Sequence, residues 1–514
     1  MGRKKYAAKN IAFGYVGQFA TAIMGFILKQ VFIANLGATL NGVNGLYTGI
    51  LSLLNMAELG IGTAMNFALY APVARGDREK IKSYMKLYRK AYYTVAFVVA
   101  AIGLVLAPFL RIFIKDPGAN TWHDLTMYYL IFLFNTVSSY FVAYKYSLVN
   151  ASQKNYIQTN ITTVTKIVTV LAQMLVLVTT RNFYCYLITD AAIQLIQKFF
   201  ANWYLNHLYP YLKEKNVAPL SKSESDEVWS KTKALVWHKV GDAARLQTDS
   251  IIISSFISVT VSGMVDNYNQ VITAVASFVN IIFNSMISSF GNLIATENKE
   301  KQFSMFSVYR FFASWIYGFC ASAFFILLTP FVGSLWLGKG WVLPYASVGL
   351  ILLDFYFKGD RIVLSNFKTA AGVFEQDKYL AAIQGLVNLV LSIWLVMKIG
   401  LPGIYIGTVL SGLIANITKP IIIYRVCFDR SAAHYFKDSI KYLLVSGGSL
   451  LLLYLISSRL MPDPESVGLG MFILMAVIVV ILYNGIFLAF FGRSKECRYL
   501  FGMVKEKIGS RSGR

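Results

Sequence analysis

Long apolar stretches alternate along this chain with short polar connections, and that alternation organises it from end to end. A helix rising 1.5 Å per residue needs about twenty apolar residues to cross the hydrocarbon of a bilayer. Windows of that kind, cut at charges and turn residues, predict helices near 9–36, 43–70, 87–114, 124–149, 157–179, 183–206, 230–258, 263–294, 305–332, 342–369, 376–399, 402–425, 438–458 and 467–491. The predicted fold class is an all-α polytopic membrane protein with about fourteen transmembrane helices. Its first two segments meet at LGATLNG, a turn without charge, and carry Lys29, Asn55, Glu58 and Asn66 inside apolar runs. A charge at that depth costs at least a few kcal/mol unless it faces protein or water, which makes it a functional candidate.

On a helix lining a wet cavity, polar residues recur at three- and four-residue steps along one face. Thr48, Ser52, Asn55, Gly62 and Asn66 do so in the second segment, with Glu58 beside them. Thr162, Lys166, Thr169 and Gln173 do so in the fifth, Asp190, Gln194 and Gln197 in the sixth, and Asp266, Gln270, Thr273, Ser277, Asn280 and Asn284 in the eighth. The seventh carries His238, Asp242, Arg245 and Asp249 at spacings of four, three and four, with Arg245 near the middle of the span. Two readings of that set stay open: an ion-pair network joining helices, or the wall of a central cavity that holds cargo near the membrane midplane.

The two halves resemble each other. Gly42 and Tyr47 recur as Gly263 and Tyr268, and LYRKAYYTVAFVVAAIGLVLAPF, with Tyr88, Arg89 and Pro108, recurs as VYRFFASWIYGFCASAFFILLTPF, with Tyr309, Arg310 and Pro330. A shared offset of about 221 residues is the mark of duplication. Six helices per copy return the chain to its starting side, so the repeats are expected to be parallel. The expected domains are a six-helix lobe over 1–206, a polar linker over 207–229, a second lobe over 230–425, and two further helices with a basic tail over 426–514.

Composition agrees with that picture: the 514 residues are 56% hydrophobic and 14% charged, outside the range of soluble globular domains. The net charge of +23 does not point to nucleic acid, because the bases sit in short tracts between apolar runs. Alternate loops are rich in Lys and Arg, as around Arg75–Lys86, Lys213–Lys233, Arg425–Lys441 and Arg493–Arg514, whereas LGATLNG, SVTVSG and KIGLPG carry one Lys between them. The positive-inside rule then places both termini in the cytoplasm. The basic start is followed by an apolar run too long for a signal-peptide core and is expected to remain as the first spanning helix. Cys185, Cys320, Cys427 and Cys497 are scattered, the four histidines form no ligand cluster, and neither GxxxxGK[ST] nor HExxH occurs, so no metal, cofactor or catalytic residue is predicted.

The charges at depth indicate the cargo. Arg245, Lys166 and Lys29 are the candidate cavity bases, and several cations in a poorly hydrated space attract an anion such as phosphate. The polar lining of the stripes, the amides Asn55, Asn66, Gln173, Gln194, Gln270, Asn280 and Asn284 with the carboxylate Asp266 and the neighbouring hydroxyls, suits the hydroxyls of a sugar. Asp242, Asp249, Glu58 and Asp190 either carry a coupling proton or sodium ion or balance the bases, and the sequence leaves both open.

The block NLGATLNGVNGLYTGILSLLNMAELGIGTAMNFALY, with LQTDSIIISSFISVTVSGMVDNYNQV in the second half, resembles the Wzx-like polysaccharide flippases of the multidrug/oligosaccharidyl-lipid/polysaccharide (MOP) exporter superfamily. The resemblance implies a V-shaped, MATE-like pair of lobes opening alternately to either side. It implies transport of an undecaprenyl-diphosphate-linked oligosaccharide across a bacterial cytoplasmic membrane for cell-surface polysaccharide, with a glycan polymerase as a partner. Lys29 is similar in placement to a cavity base of that family. The rival readings are a cation-coupled multidrug exporter, which predicts an acidic cavity, and a membrane glycosyltransferase or polymerase, for which the loops supply no catalytic domain.

Overall fold

The computed structural model describes residues 2–214, 217–226, 228–229, 232, 248–373, 376 and 379–502. Among these residues the regular secondary structure is helix, joined by short turns and loops. In order the helices are α1 (Gly2–Leu54), α2 (Met56–Arg75), α3 (Arg78–Leu106), α4 (Trp122–Ala151), α5 (Asn155–Thr180), α6 (Phe183–Leu208), α7 (Thr248–Phe256), α8 (Val259–Thr296), α9 (Lys299–Pro330), α10 (Tyr345–Asp360), α11 (Ile362–Ala371), α12 (Leu380–Ile399), α13 (Leu401–Phe428), α14 (Ala433–Leu460) and α15 (Leu469–Phe491). Among the described residues, ten helices are long and apolar enough to cross a membrane. α2 and α6 are not among those ten; α6 carries Asp190, Gln194, Gln197, Lys198, Asn202 and Asn206 along its length. The chain is a multi-pass membrane protein.

Three expected boundaries move. The turn LGATLNG is helical apart from Gly37, whose φ of 79° kinks α1, and the helix then runs on to Leu54. The predicted second segment breaks at Asn55, a junction inside the polar stripe, where α2 begins. The tenth predicted segment likewise divides at Arg361 into α10 and α11. Each break falls at a polar residue whose side chain has a partner: Asn55 accepts from the Tyr140 hydroxyl, and Arg361 donates to the Gly412 carbonyl and to Asn416. Such partners replace the backbone bonds a membrane helix loses when it is interrupted.

Outward faces are apolar. On α5, Val164, Val168, Leu171, Leu175 and Val178 are exposed at steps of four and three, while Thr169 and Gln173 are buried on the other side. That reversal of the soluble pattern is expected where the surrounding solvent is lipid.

The chain divides into two compact units, residues 1–263 and 264–514. In the first, α1 packs along α5, α3 against α4, and α4 and α5 against α6. Tyr47, fully buried, donates to the Leu125 carbonyl at 2.8 Å and so holds the start of α4. In the second, Tyr268, also fully buried, accepts from the Leu343 amide at 3.2 Å, just ahead of α10. The two tyrosines of the internal repeat therefore do matching work.

α14 and α15 lie against α9. Phe311 of α9 and Tyr442, Tyr483 and Phe487 of the added helices form one buried cluster. Gly318 lets the Tyr483 hydroxyl and Ser446 approach closely, and those two groups hydrogen-bond at 2.9 Å.

Candidate functional site

The polar stripes of α5 and α6 meet because the two helices form a tight hairpin. Arg181 closes α5 in the left-handed region at φ 48°, and the Asn182 side chain accepts from the Cys185 amide to start α6. Their facing positions, with Gln18 and Thr21 of α1, line a cavity of about 580 Å³ that holds Thr162, Lys166, Gln194 and Gln197. Lys166 is exposed at its rim. Two of the sequence-predicted residues, Lys166 and Gln194, are thereby brought together.

Asp190 lies one turn before Gln194 on the same helix. It accepts from Asn135 Nδ2 of α4 at 2.9 Å and sits in the fields of Lys166 and Lys198. Asn135 turns its other end to the ammonium of Lys198, which donates to Asn135 Oδ1 at 2.7 Å, to the Asn135 carbonyl at 2.8 Å and to Ser138 Oγ at 2.7 Å. One amide thus bridges carboxylate and ammonium. Such a bridge satisfies both charges without neutralising either.

Beyond Lys198 lies a larger cavity, about 740 Å³, between α3, α4, α6 and the start of the linker. Lys145 of α4 stands in its wall, donating to Asn202 and, at 2.6 Å, to Asn206 Oδ1. Lys145 and Lys198 are 5% and 8% exposed, and among the described residues neither has a carboxylate within ion-pair distance. In the second unit the buried Arg310 meets an acid directly. Arg310 NH2 is 3.7 Å from Asp360, donates to Ser439 at 2.6 Å and lies 3.5 Å above the Tyr435 ring; Lys358 pairs with Asp354.

The remaining predicted residues are placed as follows. Lys29 is half-buried on α1 and is not part of the Lys166 cavity lining. Glu58, half-buried in the first turn of α2, sits near Tyr92 and Tyr140. Asn55 serves Tyr140, and Asn66 is half-buried on α2. Gln173 is buried and donates to the Tyr186 carbonyl at 3.5 Å, so it joins α5 to α6. On α8, Asp266 and Gln270 are half-buried, Asn280 accepts from the Tyr317 hydroxyl at 2.7 Å, and Asn284 is exposed. Asp249 is half-buried at the start of α7, while His238, Asp242 and Arg245 lie outside the described residues.

Sequence reasoning passed over Lys145, Lys198 and their amide partners. The signal was present: Lys198, Asn202 and Asn206 recur at four-residue steps on α6, and Asn135, Ser138 and Lys145 are spaced by three and seven on α4.

The architecture is that of the MOP transporters. The structure superposes on a lipid II flippase, MurJ, in an inward closed conformation with a TM-score of 0.69 and 14% identity, over 94% of this chain and 99% of that one. An inward-facing multidrug resistance MATE family transporter of the MOP superfamily matches with a TM-score of 0.61 and 12% identity, over 78% of this chain and 92% of that one. A Vibrio cholerae MATE transporter matches with a TM-score of 0.56 and 12% identity, over 84% and 99%. At these identities the likeness establishes the fold. No family model and no curated protein matches the chain.

Proposed function

We propose that this protein is a flippase that moves a lipid-linked oligosaccharide, joined to its lipid through diphosphate, across a bacterial cytoplasmic membrane by alternating access. One observation carries the reading. Within α4, α5 and α6, away from their first and last turns, the bases Lys145, Lys166 and Lys198 stand against a single carboxylate, Asp190. An interior with surplus positive charge favours an anionic cargo and disfavours the rival reading, a cation-coupled multidrug exporter, which predicts an acidic cavity. In this reading Lys166, Lys29 and Arg245 attract the diphosphate, the stripe amides bind the sugar, and Asp242, Asp249, Glu58 and Asp190 balance charge or couple an ion. Both termini lie in the cytoplasm, and a glycan polymerase takes up the product.

The test is reconstitution. Purified protein in liposomes is expected to move a fluorescent polyprenyl-diphosphate saccharide between leaflets while leaving a cationic dye untouched. Dye transport without lipid transport would favour multidrug export instead.

A further inference from the structure

The internal repeat places two equivalent arginines in opposite surroundings. In the second unit Arg310 is buried beneath α14, bonded to Ser439 and the Tyr435 carbonyl and stacked on the Tyr435 ring. In the first unit its counterpart Arg89 is exposed, bonds to the Tyr93 hydroxyl at 3.3 Å, and lines the large cationic cavity. The face of α9 that the chain covers with α14 and α15 is met on α3, among the described residues, by the start of the linker, Lys86 donating to the Val217 carbonyl at 3.2 Å.

We propose that the cationic cavity on this side of the first unit is a binding site for a membrane lipid with an anionic phosphate headgroup. The proposal shares Lys145 and Lys198 with the reading of an anionic cargo, but lipid retention is read without transport, so either can fail alone. Six basic side chains and one carboxylate, Glu214, line the cavity. Glu214 is already paired with Lys82 at 2.6 Å. Lys145 and Lys198, buried with neutral amide and hydroxyl acceptors, and Lys86 and Arg89 at the exposed side, are left without a carboxylate partner among the described residues. Buried cations that lack counter-charge are costly, and an anion seated among them offsets that cost.

The walls supply the second half of an amphiphile site. Phe141, Phe199 and Tyr93, all exposed, rim the cavity. Leu195 belongs also to the lining of an apolar groove of about 480 Å³ between α4 and α6, formed with Met127, Ile131, Phe134 and Ile188. From Leu195 back to Tyr184 this groove follows α6 for about 16 Å, a length suited to an acyl chain. The cations occupy the end of the unit where α3 begins and α4 and α6 finish, so the headgroup sits at that membrane face with its chain directed inward. A soluble phosphate would use the cations and leave the groove idle.

The experiment uses the full chain purified in detergent, with lipid retention read by native mass spectrometry. Phosphatidylglycerol, phosphatidylcholine and inorganic phosphate are offered in turn. Phosphatidylglycerol is expected to be retained at least tenfold better than phosphatidylcholine, and less well as salt rises. Substituting the exposed pair Lys86→Gln and Arg89→Gln, which carries little folding risk, is expected to lower that retention at least fivefold. Leu195→Trp is expected to lower lipid retention while leaving the weak response to inorganic phosphate unchanged. Equal retention of the two lipids, or full retention by the Lys86/Arg89 variant, would overturn the proposal. Tight binding of inorganic phosphate that Leu195→Trp does not affect, without preference for the lipid, would reassign the cavity to a soluble anion and also overturn it.

Discussion

Thr39 and Thr260 touch through their hydroxyls at 3.3 Å, although 221 residues separate them in the chain. That separation is the offset of the internal repeat, so two equivalent positions meet each other within the first unit. Two residues on, Asn41 donates to the Gly263 carbonyl at 3.0 Å, and Gly263 lies against the backbone of Gly42, its own equivalent. Backbones approach this closely because neither position carries a Cβ.

A side chain at Gly42 would run into the carbonyl of Val259. Gly42→Leu is therefore expected to destabilise the protein by about 1–3 kcal/mol. Gly447→Ala, on an open helical face, is expected to be neutral or slightly stabilising. Thermal unfolding in detergent, followed by intrinsic fluorescence, checks both.

Asn135 holds Asp190 with one end of its amide and Lys198 with the other. Asn135→Leu removes one hydrogen bond from each charge while Lys198 keeps the position-135 carbonyl and Ser138, and a loss of about 1–3 kcal/mol is expected. Asn135→Gln keeps the amide and is expected to lose less. The same unfolding measurement on both variants would remove the bridge from the account if the two behaved alike.

Arg310 and Asp360 present the opposite arrangement, a buried pair with Tyr435 and Ser439 completing its hydrogen bonds. Arg310→Met alone is expected to cost about 3–5 kcal/mol, because it leaves a buried carboxylate, and adding Asp360→Leu is expected to recover part of that loss. A double-mutant cycle reads the coupling; strict additivity would show that the two residues act independently.

The linker is fastened to α3 by ion pairs, among them Lys80 with Glu224. The hydrogen bond from Lys80, followed by that from Ser221, holds the Glu224 carboxyl below its ordinary value near 4.5. With the folded-state value depressed, the pair contributes fully above the ordinary value and is lost as pH falls through the folded one. Cleavage by pepsin within residues 217–226, measured relative to an unfolded peptide of the same sequence, is expected to accelerate as the pH falls below the ordinary carboxyl value. Lys80→Gln is expected to expose the same bonds to trypsin or chymotrypsin at neutral pH.

Much of this architecture can be read from hydrophobic pattern alone, because lipid forces long helices and their apolar runs announce them. α5 illustrates it: Lys166, Thr169 and Gln173 share one side and the lipid-facing valines and leucines the other, as their spacing indicates. The breaks at Asn55 and Arg361 are less legible, since tertiary partners, Tyr140 and Asn416, stabilise them and nothing local demands them. Lys198 was hidden for a similar reason. Its importance comes from a neighbour on another helix, Asn135, and from the lack of a carboxylate within ion-pair distance among the described residues, neither of which periodicity along one helix reveals.

The central claim is that basic groups inside the membrane helices serve a phosphate-bearing cargo. It is tested most directly by measuring leaflet-to-leaflet transfer of a polyprenyl-diphosphate saccharide in proteoliposomes, comparing the native protein with Lys166→Gln and Arg245→Ala at equal protein content. The account predicts at least a tenfold loss of transfer in each variant, with insertion and thermal unfolding unchanged. Transfer at the native rate in both variants would contradict it.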